Sequence, residues 1–155
     1  MKIVFGSDEK NHLTDFVISE LKKMDHELTL HGPIAGEYIE WTDVAMKVAE
    51  RVASGKSEHG IVCCWTGTGV SIAANKVPGI RAALCGDAET ARGARKWNNA
   101  NVLALSLRTT STALAGEIIE AWFDSVPDES EKDNIGKVAE IERKYSKQTG
   151  LKYER

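Results

Sequence analysis

The chain has 155 residues and a mass of 17.0 kDa, which is enough for one domain with a substantial buried core. It is 42% hydrophobic and 28% charged, with a net charge of −3. This composition excludes disorder as the main state, and the lack of a basic region argues against nucleic acid as a partner. No apolar run of about 18 residues and no signal-peptide pattern is present, so we expect no membrane partner and a cytoplasmic location.

The cysteine and histidine content predicts neither disulfides nor a metal centre. The three cysteines are Cys63, Cys64 and Cys85, an odd number whose spacing fits no disulfide framework and no zinc site. The four histidines are scattered without ligand spacing: His12, His26, His31 and His59. We therefore expect reduced thiols, no bound metal and no cofactor.

In chain order, short apolar runs alternate five times with longer amphipathic stretches. The predicted strands are 2–6, 27–30, 60–64, 80–85 and 101–105. The predicted helices are 10–24, 42–54, one that begins near Val70, 87–97, 111–124 and 131–146. This alternation predicts an α/β protein, a three-layer α/β/α sandwich with a five-stranded parallel sheet. We expect one domain over residues 1–146 and a polar C-terminal tail over residues 147–155.

Ligands of a parallel α/β sheet bind beyond the carboxyl ends of its strands, which selects a small set of residues. These are the residues that follow each strand: Ser7–Glu9, His31, Cys64–Gly69, Gly86–Asp87 and Ser106–Arg108. In the third of these segments, two glycines between a strand and a helix allow successive backbone N–H groups to point at one anion. The same glycines could instead serve only the geometry of a tight turn. The loop lacks the lysine of a P-loop and the full dinucleotide fingerprint, which argues against ATP and NAD.

Cys64 stands beside these N–H donors, where a thiolate is favoured and could act as a base or a nucleophile. The alternative is a small buried apolar side chain, which is the commoner role of a cysteine. Cys63 should face the opposite side of the sheet, and we expect both Cys63 and Cys85 in the core.

Polar residues at two other places could bind the hydroxyl groups of a ligand. Asp8 follows the first strand, where it could bind hydroxyl groups or cap the next helix. Asn98, Asn99 and Asn101 lie at the start of the fifth strand, where amides could bind hydroxyls or stabilise a loop. Trp97 would be exposed unless it lines a pocket or an interface.

Three segments closely resemble the ribose-5-phosphate isomerase B and galactose-6-phosphate isomerase family. They are Ser-Ile-Ala-Ala-Asn-Lys at 71–76, Pro-Gly-Ile-Arg-Ala at 78–82 and Asn-Val-Leu-Ala at 101–104. The resemblance implies a Rossmann-like fold and a homodimer or tetramer whose active sites take residues from two chains. It also implies metal-independent aldose–ketose isomerisation of a sugar phosphate through a cis-enediol.

The resemblance also implies roles for the residues of the glycine loop. The base of this family is either a cysteine in the loop or a glutamate a few residues later. Cys64 matches the cysteine and Val70 stands where the glutamate would be, which implies Cys64 as the base. The cradle for the enediolate is matched by Gly67, Thr68 and Gly69.

Other family positions concern the hydroxyls and the ring of the sugar. Asp8 and Asn98 match hydroxyl-binding residues, and Thr66 matches a threonine that assists ring opening. The histidine expected to open the ring directly precedes Asn98, and here that position is Trp97. A four-carbon sugar phosphorylated on its terminal oxygen cannot close into a furanose and needs no ring opener. Trp97 would also shorten the pocket, which suits a smaller sugar.

The positions expected to bind the phosphate are only partly kept. Arg108 matches a phosphate-contacting arginine, whereas Asp133 and Lys137 stand where two further arginines are expected. Glu9 replaces a histidine, and Trp65 replaces a glycine. Two carboxylates near a phosphate dianion would repel it, so we do not expect an unchanged ribose-5-phosphate site.

The sequence therefore predicts an aldose–ketose isomerase of a sugar phosphate with a cysteine base. One alternative is a relative that binds a sugar-like ligand without turning it over. A second is an isomerase of a small open-chain or unphosphorylated sugar. A third is a thiol enzyme that uses Cys64 as a covalent nucleophile, which needs a paired histidine such as His31.

Overall fold

The computed structural model describes residues 1–146, and the predicted polar tail, 147–155, lies outside the described residues. Five parallel strands form one sheet in the spatial order β2-β1-β3-β5-β4. The strands are β1 Lys2–Ser7, β2 Glu27–His31, β3 His59–Cys64, β4 Ala82–Leu84 and β5 Val102–Ser106. Helices cover both faces of the sheet, so the predicted α/β/α sandwich is confirmed.

Six helices and two 3₁₀ turns complete the described chain. The helices are α1 His12–Lys23, α2 Trp41–Ala53, α3 Thr68–Ala74, α4 Ala88–Asn98, α5 Thr112–Phe123 and α6 Lys132–Ser146. The 3₁₀ turns are Pro33–Ala35 and Glu129–Glu131. On one face of the sheet lie α2 and α3, and on the other α1, α4 and α5. Within residues 1–146, no helix has both the length and the apolar character needed to cross a membrane.

The apolar periodicity explains how the layers form. The strand β3 is buried over Gly60–Cys64 because helices cover both of its faces. Cys63 and Cys64 belong to the two different apolar clusters, which confirms that they face opposite sides of the sheet. Cys85 is 1% exposed and lies in the core as predicted. The helix α2 buries the predicted face: Val44, Ala45, Val48, Ala49 and Val52.

Two glycines in the central strands allow α2 to lie unusually close to the sheet. A Cβ atom on Gly6 would be 2.7 Å from a methyl carbon of Val44, and one on Gly60 would be 2.7 Å from a methyl carbon of Val48. Any larger residue would therefore push the helix away from the sheet.

The fourth strand is shorter than the predicted 80–85, because side chains bind the backbone that precedes it. The backbone N–H of Arg81 donates to Oδ1 of Asn101 (2.8 Å). The side-chain amide of Asn75 bonds both the N–H and the carbonyl of Ala82 (each 2.8 Å). These bonds hold residues 80–81 as a loop and leave only Ala82–Leu84 to pair with β5.

His59 begins β3 and is packed among aromatic rings. Its ring lies edge-on to Trp122 (centroids 6.1 Å apart) and to Phe123 (5.8 Å). Burial, and next the charge of Arg95, lowers the pKa of His59 to about 4. The folded chain therefore keeps this imidazole neutral at pH values where an exposed histidine is protonated.

We expect the free energy of unfolding to fall as the pH decreases from about 6.5 to about 4. In this window the unfolded chain binds a proton on His59 that the folded chain does not, so acid favours unfolding. The loss is on the order of 2 kcal/mol, reduced from the full linkage value because part of the ring is solvated. Urea unfolding at about pH 7.5 and about pH 4.5 measures it. His59→Phe should remove most of this dependence, while His12→Phe, at an exposed histidine, should keep it. The same dependence in wild type and His59→Phe would contradict the assignment.

Candidate active site

The carboxyl ends of β1 and β3 form a crevice at the point where the fold changes direction. The helix that follows β1 packs on one face of the sheet, and the helix that follows β3 packs on the other. In open α/β sheets, such a switch point is where ligands bind. Ser7 pairs with Cys63 on neighbouring strands about 4.8 Å apart, so Asp8, which follows β1, leaves the sheet beside the end of β3 at Cys64.

Cys64 is the last residue of β3, and its side chain is 6% exposed. Its carbonyl accepts hydrogen bonds from the N–H of Gly67 (3.2 Å) and of Leu107 (3.0 Å). These two bonds fix the end of β3 between the loops that follow β3 and β5. The thiol lies on the α2 and α3 face of the sheet, next to the start of α3.

The glycine loop has the geometry that the sequence predicts. Gly67 adopts a left-handed conformation (φ 74°) and directly precedes α3. The N–H groups at the start of any helix have no acceptor within the helix, so those of Thr68 and Gly69 are free of intrahelical bonds. The hydroxyls of Thr66 and Thr68 are exposed and hydrogen-bonded to each other (2.7 Å). The loop can therefore offer backbone N–H groups and a hydroxyl to an oxygen beside the Cys64 thiol.

Trp41 covers this loop, a feature that sequence reasoning missed. A Cβ atom on Gly69 would lie 3.1 Å from the Trp41 ring, so the indole packs directly over the glycine. Trp41 is the first residue of α2 and is 40% exposed. The residues singled out in the sequence follow a strand or match a position of the family, whereas Trp41 begins α2 after an intervening loop. The position of Trp41 next to the start of a predicted helix indicates this location, because a helix that precedes a parallel strand begins at the ligand-binding edge of the sheet.

Asp8 lines a cleft of about 430 Å³ that Cys64 does not line. Burial, and then repulsion by Glu9 and Glu40, raises the pKa of Asp8. Its Oδ1 is buried and has no hydrogen-bond partner among residues 1–146, so it can accept a bond from a ligand hydroxyl. The predicted capping alternative is wrong, because Asn11 caps α1. Sequence analysis also missed several wall residues of this cleft: Pro33, Tyr38, Ile39, Glu40 and Asp43.

The cleft around Asp8 is strongly acidic, although Lys10 lines an adjoining pocket with Asp8 and Glu9, and a second cation, Arg108, lies at the β5 end of the crevice. Asp8, Glu9, Glu40 and Asp43 all line the cleft. Arg108 follows β5, on the opposite side of β3, and its backbone N–H donates to the carbonyl of Trp65 (2.9 Å). The charge distribution therefore favours hydroxyl groups near Asp8 and a phosphate near the β5 end of the crevice.

Three predicted site residues lie at the opposite edge of the sheet. Trp97 and Asn98 end α4, which delivers the chain to the amino end of β5. Lys137 lies in α6, whose Glu142 accepts from the N–H of Gly79, a residue that precedes β4. Both Trp97, 59% exposed, and Asn98 face solvent. The five residues of β5 span about 13 Å, so these side chains cannot meet Cys64 of the same chain.

The histidine that a covalent thiol enzyme would need is engaged elsewhere. His31 ends β2, which is separated from β3 by β1. Its Nδ1 lies 3.4 Å from a carboxylate oxygen of Glu37. The third alternative of the sequence analysis therefore lacks a Cys64–His31 pair.

Comparison with known proteins shows which family the chain belongs to. A family model described as Ribose/Galactose Isomerase matches residues 3–141. The chain is 42% identical over 133 residues to the D-erythrulose-4-phosphate isomerase of Pectobacterium atrosepticum, which covers 81% of this chain and 84% of that protein. It is 37% identical over 123 residues to ribose-5-phosphate isomerase B of Escherichia coli, with 79% and 83% covered.

Solved structures give the same result for the fold. The ribose-5-phosphate isomerase B of Clostridium thermocellum matches with a TM-score of 0.85 and 43% identity, covering 94% of this chain and 99% of that one. Both the family match and this structural match extend over the sheet and its helices, which confirms the resemblance and the Rossmann-like fold. The chain thus belongs to the ribose/galactose isomerase family and is an aldose–ketose isomerase of sugar phosphates.

Proposed function

We propose that this isomerase interconverts an open-chain four-carbon ketose phosphate, D-erythrulose 4-phosphate, and the aldose phosphate of the same length, with Cys64 as the base. The observation that carries this proposal is the indole of Trp97 at the position where the family resemblance places a ring-opening histidine. Ring opening needs a group that both gives and takes a proton, and an indole N–H can only donate. Two relatives named D-erythrulose-4-phosphate isomerase, 42% and 32% identical to this chain, support the same substrate class.

The proposed reaction is a proton transfer between neighbouring carbons. The Cys64 thiolate removes a proton from C1 of the ketose, the C1–C2 double bond forms, and the carbonyl oxygen on C2 becomes an enediolate oxygen. The backbone N–H groups of Thr68 and Gly69 donate to that oxygen. With the Thr66 hydroxyl as relay, a proton moves from the oxygen on C1 to the oxygen on C2. The thiol then returns its proton to C2, which leaves an aldehyde at C1 and a hydroxyl at C2.

The remaining substrate groups fit the charge distribution of the crevice. The free Oδ1 of Asp8 accepts a hydrogen bond from a substrate hydroxyl, and Glu9 borders the same cleft. These carboxylates repel the phosphate, which therefore points toward Arg108 and, in a dimer, toward Lys137 of the partner subunit. In the dimer, Trp97 of the partner subunit limits the length of the pocket.

We expect wild-type protein to turn over D-erythrulose 4-phosphate with a kcat/KM on the order of 100-fold above that for ribose 5-phosphate. Trp97→His should raise turnover of ribose 5-phosphate by about tenfold or more, because the imidazole can transfer the ring proton. Trp97→Phe is the matched control, since it removes the indole without adding an acid or base. Steady-state kinetics with both substrates measures the effect. Efficient wild-type turnover of ribose 5-phosphate, with no gain in Trp97→His, would contradict the open-chain assignment.

We further propose that two copies of the chain build each active site. Cys64 and Asn98 lie at opposite edges of the sheet, so one site that uses both must take them from different chains. The helix α6 contacts its own chain mainly at α4 and the preceding 3₁₀ turn, and it exposes an apolar row of Val138, Ile141 and Tyr145. An exposed apolar row of this kind is suited to an isologous interface.

A heterodimer of two inactive chains tests this arrangement. Cys64→Ala and Asn98→Ala chains, co-expressed with different tags and purified through both tags, should show about half of the wild-type activity per dimer. One of the two sites then combines an intact Cys64 with Asn98 of the other chain, and the second site lacks both. Each homodimer should be nearly inactive. A heterodimer no more active than the homodimers, or an active monomer in light scattering, would refute the shared site.

A further inference from the structure

A network of hydrogen bonds lies at the amino edge of the sheet, away from the groups that take part in the proposed proton transfer. The Nε–H of Arg81 donates to the backbone carbonyl of Asn99 (2.8 Å). The backbone N–H of Arg81 donates to Oδ1 of Asn101, whose Nδ2–H donates to the carbonyl of Gly79 (2.9 Å). We call these four residues the arginine clamp. It ties the segment that follows Asn98 to the loop that precedes β4.

The clamp also reaches the C-terminal helix. The N–H of Gly79 donates to both carboxylate oxygens of Glu142 in α6 (3.0 and 3.1 Å). One continuous network therefore joins the end of α4, which carries Trp97 and Asn98, to the helix that carries Lys137. In the proposed dimer, these three residues of one chain contribute to the active site of the partner subunit.

The backbone that the clamp holds is the turn that ends α4. Asn99 is left-handed (φ 46°), an arrangement that costs a non-glycine residue free energy. Arg95, which is 8% exposed, supports the same turn, since its Nη1–H donates to the carbonyl of Ala100 (2.5 Å). Without Arg81, the carbonyl of Asn99 would lose this donor, and the turn would keep its bonds to Ala94 and Arg95 but lose its link through Arg81 to the loop before β4. Asn98 is the residue directly before this turn, so its orientation would change with it.

We propose that Arg81 is a positioning residue for the isomerisation, acting through the end of α4 to aim Asn98 at the active site of the partner subunit. This inference rests on the proposed shared site. It also gives a physical reason for the Pro-Gly-Ile-Arg-Ala segment at 78–82, which lies far from the reacting atoms yet builds the clamp. A shift of about 1 Å in a substrate-binding group can lower turnover on the order of 100-fold.

Heterodimers made with two tags distinguish this role from a general structural one. The Arg81→Met and Cys64→Ala heterodimer should show about half of the wild-type activity, because its surviving site pairs Cys64 of the first chain with the intact clamp of the second. The Arg81→Met and Asn98→Ala heterodimer should be at least about tenfold weaker than that, because each of its sites faces a defective amino edge. Arg81→Lys should restore part of the activity, since an ammonium can still donate to the carbonyl of Asn99. Arg92→Met, at an arginine of α4 outside the clamp, should complement both partners to the extent that wild type does.

Each outcome decides between the proposals. The positioning role of Arg81 is overturned if the two heterodimers lose activity equally. It is also overturned if Arg81→Met paired with Asn98→Ala keeps about half of the wild-type activity. A normal urea midpoint for Arg81→Met with the expected asymmetry supports it, and so does the same asymmetry with a lowered midpoint, because a general folding defect would weaken both pairings. If the Cys64→Ala and Asn98→Ala heterodimer is itself inactive, the shared site fails, and the role of Arg81 fails with it. If that heterodimer is active while the asymmetry is absent, the role of Arg81 alone fails.

Discussion

Replacing Cys64 with alanine should lower kcat by about 100- to 10,000-fold, the usual cost of losing a general base. The thiol is the proposed base beside the N–H groups of the glycine loop, and Val70, at the position of the family's alternative glutamate, is fully buried and cannot replace it. Substrate binding should change little, because the N–H groups of the loop and the carboxylate of Asp8 remain. Loss of the substrate's C1 proton to solvent, followed by NMR in D₂O, reports the chemical step directly.

A second thiol provides the matched control for this experiment. Cys63→Ala removes the neighbouring thiol from the opposite face of the sheet, where burial raises the pKa of Cys63 and keeps it protonated. This variant should lose some stability through the small cavity and retain the exchange rate. Proton exchange at the wild-type rate in Cys64→Ala, or an equal loss in Cys63→Ala, would show that Cys64 is not the base.

Replacing Gly67 with alanine should destabilise the fold by about 2 to 4 kcal/mol and distort the glycine loop. The left-handed backbone disfavours any side chain, and a Cβ atom would lie 2.5 Å from Cδ1 of Leu84 and 2.9 Å from the backbone carbonyl of Leu105. The carbonyl belongs to a central strand and cannot move aside. Relief of the clash would therefore shift the loop, and with it the N–H groups of Thr68 and Gly69. Urea unfolding and kcat should both report the change.

Gly55 separates the two causes of this effect. It has a similar left-handed backbone (φ 72°), but no atom of residues 1–146 lies within 4 Å of where its Cβ would be. Gly55→Ala should therefore cost only the conformational part, about 1 kcal/mol, and leave kcat unchanged. Equal destabilisation in the two variants would show that the close contacts at Gly67 do not contribute to the loss of stability.

The layers of the fold could be predicted because they depend on local periodicity. The helical spacing of α2 and the continuous apolar run of β3 require no knowledge of distant residues. The length of β4 could not be predicted in this way. It is set by the side chains of Asn75 and Asn101, which bind backbone groups brought close only by the completed fold.

The same distinction applies to the site. Asp8 and the glycine loop were identified because residues directly after parallel strands share one edge of the sheet. Trp41 was missed, since its approach to Gly69 depends on how α2 packs, and not on its distance from a strand in sequence. The separation of Asn98 from Cys64 follows from strand direction alone, because one residue precedes a strand and the other ends one.

The close contact of α2 with Gly6 and Gly60 links two positions inside the sheet to the helix that carries Trp41. The helix has 13 residues and is about 20 Å long, with Trp41 at one end. A Cβ atom on Gly60 would lie 2.7 Å from a methyl carbon of Val48, near the middle of α2. A methyl group added to Gly60 should therefore tilt the helix relative to the sheet. This tilt would move the indole of Trp41, which packs over the glycine loop. A substitution at Gly60 should therefore move Trp41 relative to the glycine loop without altering any residue of the loop itself.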